Sequence, residues 1–379
     1  MNSFVRVLDR WLALRNRVLS SPGFQRWAAS FPLTRLIAQR RARALFDIVA
    51  GFVYSQVLFA CVRLDLFAIL SEGPRRLDEL SDRLALSPDA ARRLLRAAAS
   101  LRLVQSLDGE RYALGTLGAA MVGNPGIAAM VEHHHMVYAD LADPVALLRG
   151  EARSRSLKDY WAYVDAEAPA SADADRVGGY TNLMSESQQF IADDVLDAYS
   201  LKNHRCLLDV AGGDGTFLVS AAKRWPHLRV ILFDLPAVAE RARARFEREG
   251  LADRATAVGG DVLRDPLPEG ADIVSLVRVL HDHDDAAAQS FIAAASKALP
   301  SGGTLMVAEP MAETPGAEPI GDAYFGFYLL AMGSGRARSP RELDAMLRAA
   351  DLGQVRQLAP RRPFLTQLML AQRGSGAEC

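Results

Sequence analysis

From Arg205 onward the chain repeats one texture: a short apolar run, a polar or glycine-rich break, then a helical stretch. The runs are Cys206–Val210, Val230–Phe233, Ile273–Val279, Thr304–Ala308 and Phe364–Leu370. Apolar runs that alternate with helices predict a doubly wound parallel sheet covered on both faces. Such a sheet binds ligands beyond the carboxyl ends of its strands, so the residues that follow each run are where chemistry is expected. The texture before residue 205 differs. A chain of 379 residues has room for a second unit there.

The first run leads into Asp209-Val210-Ala211-Gly212-Gly213-Asp214-Gly215-Thr216-Phe217. Adjacent glycines let the backbone turn sharply beside a ligand, and the helix expected next offers free N–H groups. The second run ends at Phe233-Asp234-Leu235-Pro236. Asp234 lies 21 residues after Gly213, where nucleotide-binding sheets place the carboxylate that holds ribose hydroxyls. The dinucleotide fingerprint requires glycine at position 218, and the chain has Leu218, which weakens a nicotinamide oxidoreductase. A third run ends in Val258-Gly259-Gly260-Asp261-Val262. Two acids at successive strand ends suit a ligand with several hydroxyl and amino donors, such as an adenosine.

The fourth run delivers Arg278, then His281-Asp282-His283-Asp284-Asp285. A histidine at this edge can serve as a general base, since its ordinary pKa lies near neutrality. His281 and His283 on one strand face could instead hold a metal, but no further histidine or cysteine ligand pattern accompanies them, and no metal is expected. His133, His134 and His135, consecutive on a helix, should point in different directions, while His204 and His227 read as surface or turn residues. The fifth run ends at Glu309, where a carboxylate can fix the tautomer of the base.

The amino-terminal part reads otherwise. A long apolar helix is expected from about Arg43 to Leu70, then a short helix at Leu77–Leu84, a helix starting at Ser87-Pro88-Asp89, and a hairpin turning at Asp108-Gly109. Helix, turn, helix and hairpin describe a winged helix. Its eight acids balance its eight arginines between Leu64 and Gly118, which argues against DNA and for a dimerisation module. Another helix is expected over Gly126–Gly150, followed by a connector with Tyr160, Trp161 and Tyr163. Residues 1–46 hold nine arginines and one acid, a charge of +8, so the other 333 residues carry −9. Apolar residues recur among those arginines at helical spacing, fitting either an arm packed on protein or a helix lying at a membrane surface. The longest strongly apolar uncharged stretch, Ile48–Val62, looks too short to span a bilayer. Three cysteines and the lack of a signal pattern fit the cytoplasm.

The ordered set LLDVAGGDG, FDLP, GGDV, VLHDHDD and VAEP, preceded by the winged-helix region, resembles the plant-type small-molecule O-methyltransferases that use S-adenosylmethionine. The resemblance covers about residues 40–372. Within that family the arm and the segments Phe24–Ala29 and Ala44–Leu58 look like the carotenoid enzymes of phototrophic bacteria, which methylate the tertiary hydroxyl of hydroxyneurosporene and demethylspheroidene. It implies a Rossmann-like seven-stranded methyltransferase sheet of the α/β class, preceded by a mostly helical winged-helix dimerisation domain. The divisions are an arm at 1–40, a dimerisation domain with connector at 41–178 and a methyltransferase domain at 179–379.

By the same resemblance Gly212, Gly213 and Gly215 would hold the methionine part of S-adenosylmethionine, Asp234 its ribose, Asp261 and Val262 its adenine, and Arg278 its carboxylate. Asp209 and Leu235 would be further cofactor-binding residues. His281 would be the base and Glu309 its support, while Tyr180, Met184, Phe327, Tyr328 and Met332 would meet a greasy acceptor. Three positions depart from the family: Ala211 replaces a glycine, His283 a tryptophan and Ala337 a second supporting glutamate. The implied partners are a hydrophobic acceptor such as a carotenoid, a second copy of the chain and, through the arm, the inner or intracytoplasmic membrane, with no nucleic acid. Alternatives are a bacteriochlorophyll precursor or polyketide as acceptor, or a ligand-responsive DNA-binding protein.

Overall fold

Serine and proline punctuate the amino-terminal region. In the computed structural model, which describes residues 2–152, 156–160, 188 and 191–374, α1 (Asn2–Ser20) stops at Ser21, whose hydroxyl caps α2 (Pro22–Ser30) through Phe24 N. Phe31 is extended, as a residue before proline prefers, and α3 runs from Pro32 to Arg63. The helix expected over 43–70 is therefore two helices: Asp65 turns left-handed at φ 51° before α4 (Leu66–Ser71). By length and composition α3 suffices to cross a membrane. The uncharged run alone understated it, because the helix extends well beyond Ile48–Val62.

The winged helix forms as expected from α5 (Leu77–Arg83), α6 (Pro88–Ser100), β2 (Val104–Ser106) and β3 (Arg111–Leu114). Ser87 caps α6 at Ala90 N, and a short β1 (Arg75–Arg76) adds to β3. Leu66, Leu80, Leu95 and Tyr112 fill its core. These elements belong to one compact unit, residues 1–123, and residues 124–379 form the other, so the division falls well before residue 178.

The second unit opens with Pro125–Asp140 and Pro144–Leu148, two helices where one was expected. They are parted by Leu141–Asp143, and the Asp143 carboxylate caps the second at Ala146 N. The sheet contains β4 (Cys206–Val210), β5 (Arg229–Asp234), β6 (Ala255–Gly259), β7 (Ile273–Val277), β8 (Thr304–Glu309), β9 (Leu352–Leu358) and β10 (Gln367–Arg373), in the order β6-β5-β4-β7-β8-β10-β9. Five strands are parallel, but β10 runs antiparallel to both β8 and β9, so the sheet is mixed rather than wholly parallel. β9 has no continuous apolar run because it lies at the edge, with alternate residues exposed. β7 stops at Val277 because Arg278 turns left-handed.

Successive residues of β4 serve opposite faces. Leu207 packs with Phe217 and Phe246, Leu208 with Phe291 and Ile292. Phe217 is fully buried in the first turn of the helix Thr216–Arg224, so it ties the glycine loop to the core. Phe217→Ala should cost about 3–5 kcal/mol of unfolding free energy, read as a lowered midpoint in denaturant titration.

Candidate active site

The strand ends converge as a ligand edge requires. After β4, Ala211 adopts φ 54° and donates its N–H to Phe233 O at 2.8 Å. This is a left-handed position, which favours glycine, here held by alanine at a cost of roughly 1 kcal/mol. The three loop glycines have different reasons to be glycine. A Cβ at Gly212 would sit 2.2 Å from Asp209 Oδ2, and one at Gly215 2.6 Å from the Phe246 ring. These two serve internal packing, whereas the Cβ position at Gly213 opens onto free space.

Asp209 does not face a ligand. It is fully buried beneath the loop, with Oδ1 accepting from Ser275 Oγ at 2.5 Å. Its Oδ2 has no hydrogen-bond partner among the described residues. Burial raises its pKa to about 7, opposed by the Ser275 bond and assisted by the nearby Asp234 charge.

Asp234 accepts from Gly213 N at 2.8 Å and from Leu235 N at 2.7 Å, one N–H on each oxygen. Each oxygen keeps a lone pair for a hydroxyl donor. Burial pushes its pKa up to about 7 against the pull of those two N–H groups. Asp261, half-buried beside Val262, turns its carboxylate to its own loop, where Oδ1 accepts from Leu263 N at 2.9 Å and Oδ2 lies 3.6 Å from Arg264. Together the open loop at Gly213 and the Asp234 carboxylate suit a ribose-bearing ligand.

The next two strand ends build a buried histidine–carboxylate pair. Glu309, at the end of β8, accepts from Val279 N at 2.8 Å, Leu280 N at 2.7 Å and His281 Nδ1 at 2.6 Å. A carboxylate only accepts, so Nδ1 carries the proton. Nε2 lies 3.1 Å from Asp282 Oδ1, and the edge-on Phe325 ring is 5.7 Å from the imidazole. Burial lowers the His281 pKa, but Asp282 and Glu309 more than offset it and the net shift is upward. Burial likewise raises that of Asp282.

His281 and His283 do not share a strand face. They lie on a tight turn, and His283 stacks on Phe291 at 4.7 Å, a packing role rather than half of a ligand pair. Residues 334–338 brace this turn from outside. Arg338 donates to Leu280 O at 2.5 Å and His283 O at 2.8 Å, and Ser334 Oγ to Asp282 O at 3.0 Å. A Cβ at Gly335 would fall 2.1 Å from His281 O.

On the acceptor side the expectations need correction. Met332 is fully buried in the core with Val137 and Leu147, and Phe327 is exposed. Tyr328 is buried and shares a 2.8 Å hydrogen bond with His133 Nε2. Residues Pro319–Phe325 form a π-helix before the α-helix Gly326–Met332, and Phe325 at its end lies edge-on to the His281 ring. Nor do the three histidines diverge fully: His134 shares a 3.0 Å bond with Tyr324 OH through Nε2, beside the His133–Tyr328 pair, while its Nδ1 turns back to Met130 O of its own helix, as His135 Nδ1 does to Glu132 O. His204 is tied to Tyr199 and Asp272, and His227 is exposed. Tyr180, Met184, Trp161 and Tyr163 lie outside the described residues. Sequence reasoning missed Asp282, Phe325 and Arg338 as parts of the site. Their adjacency to His281, the aromatic run and Ala337 was the available signal.

Residues 138–352 match the O-methyltransferase domain, and residues 46–124 the O-methyltransferase dimerisation domain. The chain is 41% identical over 363 residues to the demethylspheroidene O-methyltransferase of Cereibacter sphaeroides, covering 95% of each chain. Its identity to the enzyme of that name from Rhodobacter capsulatus is 40% over 343 residues, covering 90% of this chain and 85% of the relative. Human N-acetylserotonin methyltransferase, solved with S-adenosylmethionine, shares the fold, with a TM-score of 0.74 at 23% identity over 88% of this chain and 98% of that one. The chain thus belongs to the O-methyltransferase family, as an S-adenosylmethionine-dependent enzyme with a dimerisation domain ahead of its catalytic domain.

Proposed function

We propose that this enzyme methylates the tertiary hydroxyl of an acyclic carotenoid of the hydroxyneurosporene or demethylspheroidene type, with His281 as general base. The observation that carries the acceptor is the 41% identity to the Cereibacter enzyme, sustained over 95% of both chains. The dimerisation domain supports a homodimer. Gly213 and Asp234 would hold the methionine and ribose parts of S-adenosylmethionine, with Leu235, Val262 and the Asp261 loop around the adenine. Arg278, on its left-handed turn, would meet the carboxylate. The cofactor supplies a sulfonium-activated methyl group, so the protein's main task is to align the acceptor oxygen with it.

His281 performs the proton step. Glu309 holds Nδ1–H and so leaves the lone pair on Nε2, which lies 3.1 Å from Asp282 Oδ1, to take the proton. As the oxygen bonds to the methyl carbon and the carbon–sulfur bond breaks, the hydroxyl proton moves to Nε2. The resulting imidazolium lies between Glu309 and Asp282, and the products are the methyl ether and S-adenosylhomocysteine. A neutral tertiary alcohol is a weak and crowded nucleophile, which is why a base matters.

Labelled methyl transfer to a panel of hydroxylated carotenoids, phenols and polyketides tests the acceptor. Turnover confined to phenols or polyketides would overturn it. His281→Ala should lower kcat by about 100-fold or more where chemistry limits the rate.

The pH profile tests the dyad. The base must be neutral to act, so kcat should rise with pH through a midpoint above the ordinary histidine value. Glu309→Gln removes a carboxylate that favours the imidazolium, so it should move the midpoint down while lowering the plateau.

Asp234→Asn should weaken S-adenosylhomocysteine binding about 10- to 100-fold by calorimetry, the range for a hydrogen bond to a charged group. An unchanged affinity would remove Asp234 from the ribose site.

A further inference from the structure

Two kinds of apolar surface are exposed along the first three helices, and they part at about residue 46. On α3, Ile48, Val49, Phe52 and Val53 are exposed within the segment that matches the dimerisation domain, where a second copy is the expected cover. Residues 2–45 precede that match. There the apolar residues are interleaved with charge of one sign.

On α1, Val7, Leu8, Trp11, Leu14 and Val18 fall on one face at 100° per residue. All are exposed, Trp11 by 56% and Leu14 by 60%. Arg6, Arg10 and Arg17 line one flank of that face. Arg15 lies within the face, its guanidinium 5.5 Å from the Trp11 ring centre, so its apolar stem covers the stripe while the charge reaches outward. Across the α2–α3 junction Trp27 stacks on Phe31 at 5.0 Å, with Phe24 at 5.6 Å. Trp27 and Phe31 are both exposed.

The arginines give the second observation. None of the nine between Arg6 and Arg43 makes an ion pair with a carboxylate among the described residues, whereas Arg75, Arg83, Arg92 and Arg111 of the winged helix each do. Asp9 is the arm's one acid up to residue 46.

We infer that α1 and the α2–α3 junction form a docking surface for an anionic lipid bilayer. The apolar stripe of α1 and the Trp27–Phe31 stack would sit at headgroup depth, with the arginines on lipid phosphates. A second copy fits this surface poorly, because it brings the same +8 and like charges repel. A nucleic acid meets the charge but leaves the apolar stripe in water. An anionic bilayer satisfies both. The inference takes its purpose from the proposed apolar acceptor, which would dissolve in the same bilayer, but its evidence is independent of that reading.

The test is co-sedimentation of the full chain with vesicles of phosphatidylglycerol and phosphatidylcholine, 1:1, against pure phosphatidylcholine, at low and high salt. No methyl acceptor is added, so failure of the acceptor assignment cannot alter the readout. The parent should bind the anionic vesicles and be released by salt. Arg6→Gln, Arg10→Gln and Arg17→Gln together should lower partitioning about 100-fold, three charges at about 1 kcal/mol each, and they keep helix propensity. Trp11→Ser with Leu14→Ser should weaken binding as well. Dimer mass by light scattering and S-adenosylhomocysteine affinity should stay at parent values in every variant. Equal sedimentation of parent and variants would overturn the proposal. So would conversion of the Trp11→Ser, Leu14→Ser protein to monomers, which would make the arm a subunit contact.

Discussion

The site depends on one buried carboxylate. Glu309 is 2% exposed, and such a charge is tolerable only if its oxygens are satisfied. It takes three donors, two from the backbone at Val279 and Leu280 and one from His281. The two backbone bonds make β8 the template for the turn that follows β7. The third fixes the imidazole on that turn. The imidazole is thus oriented by the same group that shapes the backbone beneath it, and the two roles cannot be separated by moving a side chain alone.

A second buried carboxylate organises the loop after β4. Asp209 bonds across to Ser275 of β7, and its free oxygen lies so close beneath Gly212 that any side chain there would collide with it. The loop above is held by Ala211 and Asp234, the latter clamping Gly213 from the end of β5. Strand ends β4, β5, β7 and β8 are therefore tied pairwise by side chains.

Much of this was legible in the sequence because it follows from runs and strand ends. The strands β4, β5, β7 and β8, and Asp234, His281 and Glu309 at or just beyond the ends of the last three, were readable from apolar continuity interrupted by polar residues. β9 was not, since an edge strand with alternate exposure lacks that continuity. Asp209 was read as a ligand group because a motif gives position and not depth, and at the last turn of a central strand the side chain points into the sheet packing. Met332 and Phe327 were taken as acceptor residues from a family position, which does not carry depth: Met332 is fully buried and Phe327 is exposed. The break at Asp65 was hidden because neither glycine nor proline marks it.

Arg338 supports the His281 turn from outside. It is 3% exposed and binds two carbonyls of the turn, Leu280 O and His283 O. Mechanical support therefore comes from an arginine acting on the backbone, while the second carboxylate near the imidazole is Asp282, within the turn itself. Two acids around one histidine pull its pKa upward, which favours the imidazolium formed when a proton is accepted and disfavours the neutral ring needed to accept it. A strong base and a largely neutral resting base are competing demands, and burial, which lowers the same pKa, is the force that brings them toward balance. The depth of the site and the two carboxylates of Asp282 and Glu309 thus belong to a single electrostatic compromise.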